Sequence, residues 1–296
     1  MTTVGPFELS DPLPEIESPR LLMALQPWID IGSVGSMALA FIEQRWEAKE
    51  IARLTRPGVF YDFSRYRPML FREGGERRVA VPNTVLHHAK RPDGQDWLLL
   101  HALEPHANGE DYVDGLMGLL QHFGVKQYFM VGSMYAPVPH TRPPVASGGS
   151  NSDALRERLA HVGIKESGYE GPTTILATLT ARALAEGTET ATVIVQCPAY
   201  AQMERDYRGL HALLELLSGM FELGLDLKEL GEESVRQSAA MDESMAQNPQ
   251  LAAMVLELER AYDSETAAHS ENGGAKLSPE LEGFLKDIEG RLEDSG

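Results

Sequence analysis

Four prolines enclose a histidine and an arginine in Pro137-Val138-Pro139-His140-Thr141-Arg142-Pro143-Pro144. Proline fixes φ and removes a backbone donor, so this segment presents His140 and Arg142 on a preset backbone. An imidazole can exchange protons near neutral pH, and a guanidinium can clamp a carboxylate or a phosphate. The same two residues suit a structural task equally well. Arg142 would then pair with an internal carboxylate and His140 would bond the backbone, fixing the loop or a subunit contact. Two turns offer donors to a ligand reading. Gly32-Ser33-Val34-Gly35 stands where a strand meets a helix, and Gly171-Pro172-Thr173-Thr174 opens another predicted helix. Free N–H groups at a helix start attract anions. Close helix–strand packing explains Gly32 and Gly35 without a ligand, and capping explains Thr173 and Thr174. Asp30 is read as a cap of the helix that follows it.

No complete catalytic set accompanies these residues. G-x-G-x-x-G, G-x-S-x-G, S-x-x-K and H-E-x-x-H are all missing, as is Gly-Lys-Ser/Thr. Ser133 follows a strand, as nucleophiles often do, but only Gly132 stands beside it. Cys197 has no neighbouring His or Lys and reads as a small buried hydrophobe. His87 and His88 are adjacent and would not share a helix face, with no Cys or third His at ligand spacing, so neither a metal nor a cofactor is expected. His101, in an apolar run, reads as a core histidine. The chain leans away from being an enzyme.

The elements that must position these residues alternate. Leu21–Leu25, Val59–Phe63, Met69–Arg72, Arg77–Val81, Trp97–Leu103, Gln127–Gly132 and Thr192–Val195 read as strands. Helices are expected from Ser33, across Val113–Leu120 with a stop at Gly124, after Asn151-Ser152-Asp153, from Gly171 to Gly187, and from Asn248-Pro249. Strands alternating with helices imply right-handed βαβ units and a mainly parallel sheet covered by helices. Met203, Tyr207, Leu210, Leu214, Leu217 and Phe221 recur at spacings of four and three, a heptad-like stripe that suits either the core or a helix of another subunit. Residues 1–19, rich in Pro, Ser and Glu, are expected to be flexible, residues 20–225 to form the α/β core, and residues 226–296 an acidic helical region. Within that region Ser264–Lys276 reads as a linker, and Ser278-Pro279 opens a last helix.

The 296 residues carry a formal net charge of −18. That excludes a general nucleic-acid binder, which needs clustered cations, and disfavours an anionic membrane surface. Residues 211–296 hold 19 acidic and 6 basic side chains, so most of the excess acid lies in the last third. This is either a solvated helical surface or a surface for a basic partner, where charge steers encounter. One cysteine excludes an internal disulfide. With no apolar stretch of spanning length and no basic-then-apolar leader at the start, the expected location is the cytoplasm.

Taken in order, several segments resemble the proteasome assembly chaperone 2 family in its prokaryotic branch. They are Leu25-Gln26-Pro27-Trp28-Ile29-Asp30-Ile31-Gly32-Ser33-Val34-Gly35, then Val131-Gly132-Ser133-Met134 leading into Val138-Pro139-His140-Thr141-Arg142-Pro143. Gly171-Pro172-Thr173-Thr174, Pro198-Ala199-Tyr200, Leu256 to Asp263 and Glu282-Gly283-Phe284-Leu285-Lys286 complete the set. The resemblance implies a three-layer α/β/α sandwich of the nucleoside phosphorylase/hydrolase-like type with a C-terminal helical extension. It implies a homo-oligomer that binds proteins, with proteasome subunits as the partner known for relatives. It supplies no catalytic residues. Some relatives dock through a C-terminal hydrophobic-Tyr-any tail, and Leu292-Glu293-Asp294-Ser295-Gly296 is not one. The alternative is a small-ligand binder or a hydrolase- or phosphorylase-like enzyme, with His140 as acid/base, Arg142 as anion clamp and Gly32, Gly35, Thr173 and Thr174 around them.

Overall fold

Continuous apolar runs mark strands covered on both faces, and they build the middle of this molecule. A computed structural model describes residues 2–271. In chain order the strands are β1 (Thr3–Val4), β2 (Phe7–Leu9), β3 (Arg20–Gln26), β4 (Lys49–Leu54), β5 (Met69–Glu73), β6 (Glu76–Ala80), β7 (Val85–Lys90), β8 (Asp96–Leu103), β9 (Gln127–Ala136), β10 (Ala146–Ser150), β11 (Lys165–Glu166) and β12 (Glu189–Pro198). The helices are α1 (Val34–Arg45), α2 (Gly109–His122), α3 (Asp153–His161), α4 (Ile175–Ala185), α5 (Tyr207–Phe221), α6 (Lys228–Ala246) and α7 (Pro249–Glu271).

One sheet holds all strands except β5 and β6, in the order β1-β2-β4-β7-β8-β3-β9-β12-β10-β11. Its central block β8-β3-β9-β12 is parallel. The flank from β1 through β7 to β8 is antiparallel, as is β10 against β12. The parallel sheet expected from the βαβ rhythm is therefore this central block. Side chains alternate across it with period two. Leu21, Met23 and Leu25 of β3 enter one core with α2 and α4. Leu22 and Ala24 enter the other, with α1, α3 and α5. The architecture is a large central α/β sheet covered on both faces, with α6 packed on α5 and α7 on α6.

Several expectations change. The N-terminal segment is not simply flexible: β1 and β2 extend the sheet edge, and Phe7 and Leu9 are buried. Val59–Phe63 is a turn region following a short 3₁₀ helix at Pro57–Val59, because Pro57 and Gly58 favour a turn over a ladder. The fourth helix starts at Ile175 rather than at Gly171. The segment from Ser264 is helical through Glu271, since α7 continues the turn pattern begun at Pro249. Asn248 caps that helix as expected, its Oδ1 accepting from the N–H groups of Gln250 and Leu251 at 3.1 and 3.2 Å. The helix expected after Ser278 and the C-terminal residues 292–296 lie outside the described residues. Among the described residues no helix is long and apolar enough to cross a membrane.

Candidate functional site

The proline-braced loop runs between β9 and β10 and is roofed by α6 and α7. His140 is buried, and its backbone N–H and both ring nitrogens are engaged. The Tyr200 hydroxyl accepts from the His140 backbone N–H at 2.7 Å and lies 2.6 Å from Nδ1. The Asp242 carboxylate can only accept, so the ring N–H of the neutral imidazole sits on Nε2 and is donated to Asp242 Oδ1 at 3.2 Å, and Nδ1 accepts from the Tyr200 hydroxyl. Burial pushes the imidazole below its ordinary pKa, with Arg208 adding to the shift while Asp242 and Glu259 oppose it.

Arg142 is gripped by α7. Its Nε and Nη2 donate to the two oxygens of Asp263, each at 2.8 Å, and Nη1 donates to Glu259 Oε1 at 3.1 Å. Thr141 Oγ1 donates to the same Glu259 oxygen at 2.5 Å. The hydrogen bonds to Asp263 hold the guanidinium charged above its ordinary range, and Asp263 is held below the usual carboxylate range by Arg142. Beneath the loop, Arg208 donates to the Arg142 carbonyl. The forked cation of the ligand reading is thus closed by the chain's own acids.

The glycine turn is closed in the same way. Asp30 Oδ1 accepts from Gly35 N–H at 2.6 Å and Ser36 N–H at 3.0 Å. Asp30 is buried, and that burial raises its pKa although these bonds and one from Gln26 pull the other way. Gly32 adopts φ +59°, and a Cβ there would lie 2.7 Å from Asp206 Cβ. At Gly35 a Cβ would stand 3.0 Å from the Val131 carbonyl. Close packing is therefore what both glycines serve. At the third predicted anion site Thr173 is exposed and Thr174 precedes the helix without a side-chain cap. The free N–H of Ile175 is taken by Glu104 Oε1 at 2.9 Å. His140, Arg142, Gly35 and the helix start after Thr174 each meet a carboxylate from this chain, so none offers open donors to a metabolite.

Other candidates settle similarly. Ser133 is fully buried and its Oγ donates to the Ile31 carbonyl at 2.5 Å, which removes it as a nucleophile. Cys197 is buried, as expected, and burial pushes its thiol well up. The heptad-like stripe is corrected as an interface. Leu210, Leu214, Leu217 and Phe221 are buried in this chain's own core, with Tyr207 half-buried against it and Met203 half-buried just ahead of the helix. His101, read as a core residue, is half-buried and bonds Glu43 Oε1 at 2.7 Å.

What remains open is a feature whose residues carried no motif. β5 and β6 form a two-stranded ribbon apart from the main sheet, and each of their ten residues is exposed. Met69, Leu70 and Val79 are 67, 62 and 60% exposed, with Phe71 and Val81 also uncovered. Arg65, Arg67, Arg72, Arg77 and Arg78 stand among them against only Glu73 and Glu76. An isolated hairpin of this kind is marginally stable in water; its register puts Leu70 and Val79 on one face and Met69 and Phe71 on the other, so both faces carry exposed apolar side chains. Beside its base an open depression of about 620 Å³ is lined by Arg53, Arg56, Val59, Phe63 and Val81 among others.

The Mycobacterium tuberculosis protein Rv2714, of unknown function, is 26% identical, with 92% of this chain and 93% of that one covered and a TM-score of 0.79. The proteasome-assembly chaperone homologue Rv2125 of the same organism is 24% identical, covering 80% and 99%, at a TM-score of 0.70. Pyrococcus furiosus PbaB, an archaeal proteasome activator, is 16% identical, covering 80% and 97%, at 0.64. No curated protein matches the chain. The PAC2 family model matches residues 24–245, from the end of β3 to the last turn of α6, and the chain belongs to the PAC2 family.

Proposed function

We propose that this protein works by binding other proteins: a cytoplasmic homo-oligomer of the assembly-chaperone type, with proteasome subunits or a comparable complex as its client. The observation that carries this is the β5–β6 ribbon, apolar and cationic on a chain of net charge −18 and covered by no other part of the described fold. Its first partner in this reading is the acidic helical region of a second copy. α6 and α7 display Glu229, Glu243 and Glu257 on exposed positions, so opposite charge steers the ribbon toward them while Met69 and Phe71 on one face of the ribbon, and Leu70 and Val79 on the other, supply the apolar contact. Family membership supports a protein-binding role, and the kinship with Rv2125 and PbaB supports a proteasome-related client. The loop at His140–Arg142 is then a fastener that holds α6 and α7 in place to present that acid.

The test is native mass spectrometry with light scattering at micromolar protein. Wild type is expected at a multiple of the single-chain mass, shifting toward one chain at high salt. Met69→Asp, Phe71→Asp and Val79→Asp combined should give a folded single chain. A wild type that runs as one chain at every concentration overturns the oligomer. Pull-down from the native host, with mass-spectrometric identification, decides whether proteasome subunits co-purify.

A further inference from the structure

Two histidines and one glutamate converge in a place that the protein-binding reading does not use. His87 lies in β7 and His101 in β8, and the antiparallel register sets His87 opposite Leu99 and Val85 opposite His101. The two imidazoles are therefore diagonal neighbours on one face of the sheet, within reach of each other. Glu43, in the last turns of α1, lies over that face. His101 Nε2 is 2.7 Å and His87 Nδ1 is 3.1 Å from one and the same oxygen, Glu43 Oε1. One ligand atom from each residue lies within 4.8 Å of the other two. The rings stand nearly perpendicular, at 86°, with centroids 5.7 Å apart.

A purely hydrogen-bonded triad leaves one fact unexplained. His87 Nδ1 is buried and forms no hydrogen bond of acceptable geometry, despite its nearness to Glu43. Buried polar atoms ordinarily find a partner. Here the missing partner would sit where His87, His101 and Glu43 all point. We infer that these three residues bind a divalent transition-metal ion of the zinc class. Nitrogen and carboxylate donors suit such an ion, at bonds of about 2.0–2.2 Å, which for tetrahedral angles needs donors roughly 3.3 Å apart. The contacts to Glu43 have to open by only about half an ångström to reach that. Two imidazoles in the set disfavour calcium and magnesium, which take oxygen. Glu43, His87 and His101 are 17 to 24% exposed, so an ion enters from solvent and keeps at least one position for water or another donor. Glu50, opposite His87 in the β4–β7 register and paired with Arg53, is a further carboxylate at that edge. Bound metal would tie α1 to β7 and β8, clasping a helix to the sheet's antiparallel flank.

The test uses the untagged full chain after removal of metals by chelation. Titration calorimetry with Zn²⁺ alone should show one site per chain. Co²⁺ should give the visible absorption of a tetrahedral or five-coordinate site with nitrogen ligands. His87→Ala and His101→Ala should each weaken binding by an order of magnitude or more and bleach the Co²⁺ band. His122→Ala, at an exposed position on α2 across the sheet, should leave both unchanged. Glu43→Gln keeps the shape and should also weaken binding, which separates ligand loss from misfolding, with far-UV circular dichroism confirming the fold of every variant. Absence of stoichiometric Zn²⁺ binding by wild type overturns the site. So does binding that survives in the His87→Ala/His101→Ala double variant.

Discussion

The loop around His140 and Arg142 and the ribbon of β5 and β6 both present arginine, and the fold treats them oppositely. The loop carries the conspicuous residues, and every one of them is closed: Arg142 by Asp263 and Glu259, His140 by Tyr200 and Asp242. The ribbon and the residues leading into it carry five arginines, of which Arg78 pairs with Glu76 at 3.2 Å on the exposed surface, and the described fold leaves its strands uncovered. A charge whose counter-charge comes from its own chain contributes to folding and has nothing left to offer a partner. A charge on an exposed ribbon steers encounters. In the proposed reading the contrast gives structure to the motif that looks catalytic and recognition to the one without a motif.

Substitutions in the closed region sharpen this contrast most, because they should unfold before they unbind. His140→Ala leaves the Tyr200 hydroxyl and the loop N–H beside a cavity, and should cost about 3 kcal/mol in urea unfolding. Asp30→Ala strands the N–H groups of Gly35 and Ser36 and should cost about 2 kcal/mol. Asp30→Ala, away from the roof, should leave the association of whatever remains folded intact, whereas His140→Ala releases Asp242 of α6 and should weaken association along with stability. A variant that folds at wild-type stability yet fails to associate would break the assignment of this region to structure.

The pH dependence of the fastener has a definite sign. The folded protein holds His140 below its ordinary pKa of 6.5, by burial and by Arg208 from α5, with Asp242 of α6 and Glu259 of α7 acting against them. Above that value both folded and unfolded states carry it neutral, and His140 makes stability independent of pH. Below it the unfolded chain takes up the proton first, so stability falls as pH falls. His140→Gln lacks this term. The stability gap between wild type and His140→Gln should therefore narrow from pH 7.5 to pH 5.5 in parallel urea titrations. A gap that widens toward acid would mean that Asp242 and Glu259 dominate, and that the roof tightens on protonation.

Periodicity made the middle of this fold legible and left its edges dark. Leu21–Leu25 and Trp97–Leu103 are unbroken apolar runs, which only doubly covered strands need, and α5 carries its stripe because one face of it is core. β4 and β7 escaped notice because Lys49-Glu50-Ile51-Ala52-Arg53-Leu54 and Val85-Leu86-His87-His88-Ala89-Lys90 lie on the antiparallel flank, where polar residues interrupt the run. α6 falls in the expected acidic helical region, but its bounds were not legible because its sole buried residue is Leu230. The partners of Arg142 had a signal that spacing could supply: Glu259 and Asp263 are four apart, hence on one face of a helix. The cluster of Glu43, His87 and His101 had none. Adjacency of His87 and His88 rules out a shared helix face, but on a strand the two point to opposite sides, His88 to Asp96 and His87 to Glu43. The ligand set is completed across the ladder and from a helix, at separations no local spacing rule covers.

The smallest expected effect is the most discriminating. Leu70→Ser and Val79→Ser lie at exposed positions of the ribbon with side chains the described fold leaves in solvent. Single surface changes away from caps, cavities and networks shift stability by no more than about 0.5 kcal/mol. Chemical unfolding of a chain held monomeric by high dilution should therefore scarcely register either one. The same changes remove apolar area from what is read as an interface, where the dissociation constant grows about tenfold for each 1.4 kcal/mol lost. Each should weaken association by roughly threefold to tenfold in concentration-dependent light scattering, given about 25 cal/mol for each Å² of apolar surface no longer buried. If both variants associate as wild type does, the ribbon is not where copies meet. If they also unfold earlier as monomers, the ribbon's exposed side chains serve the fold, and the distinction between a closed fastener and an open arm fails at its second term.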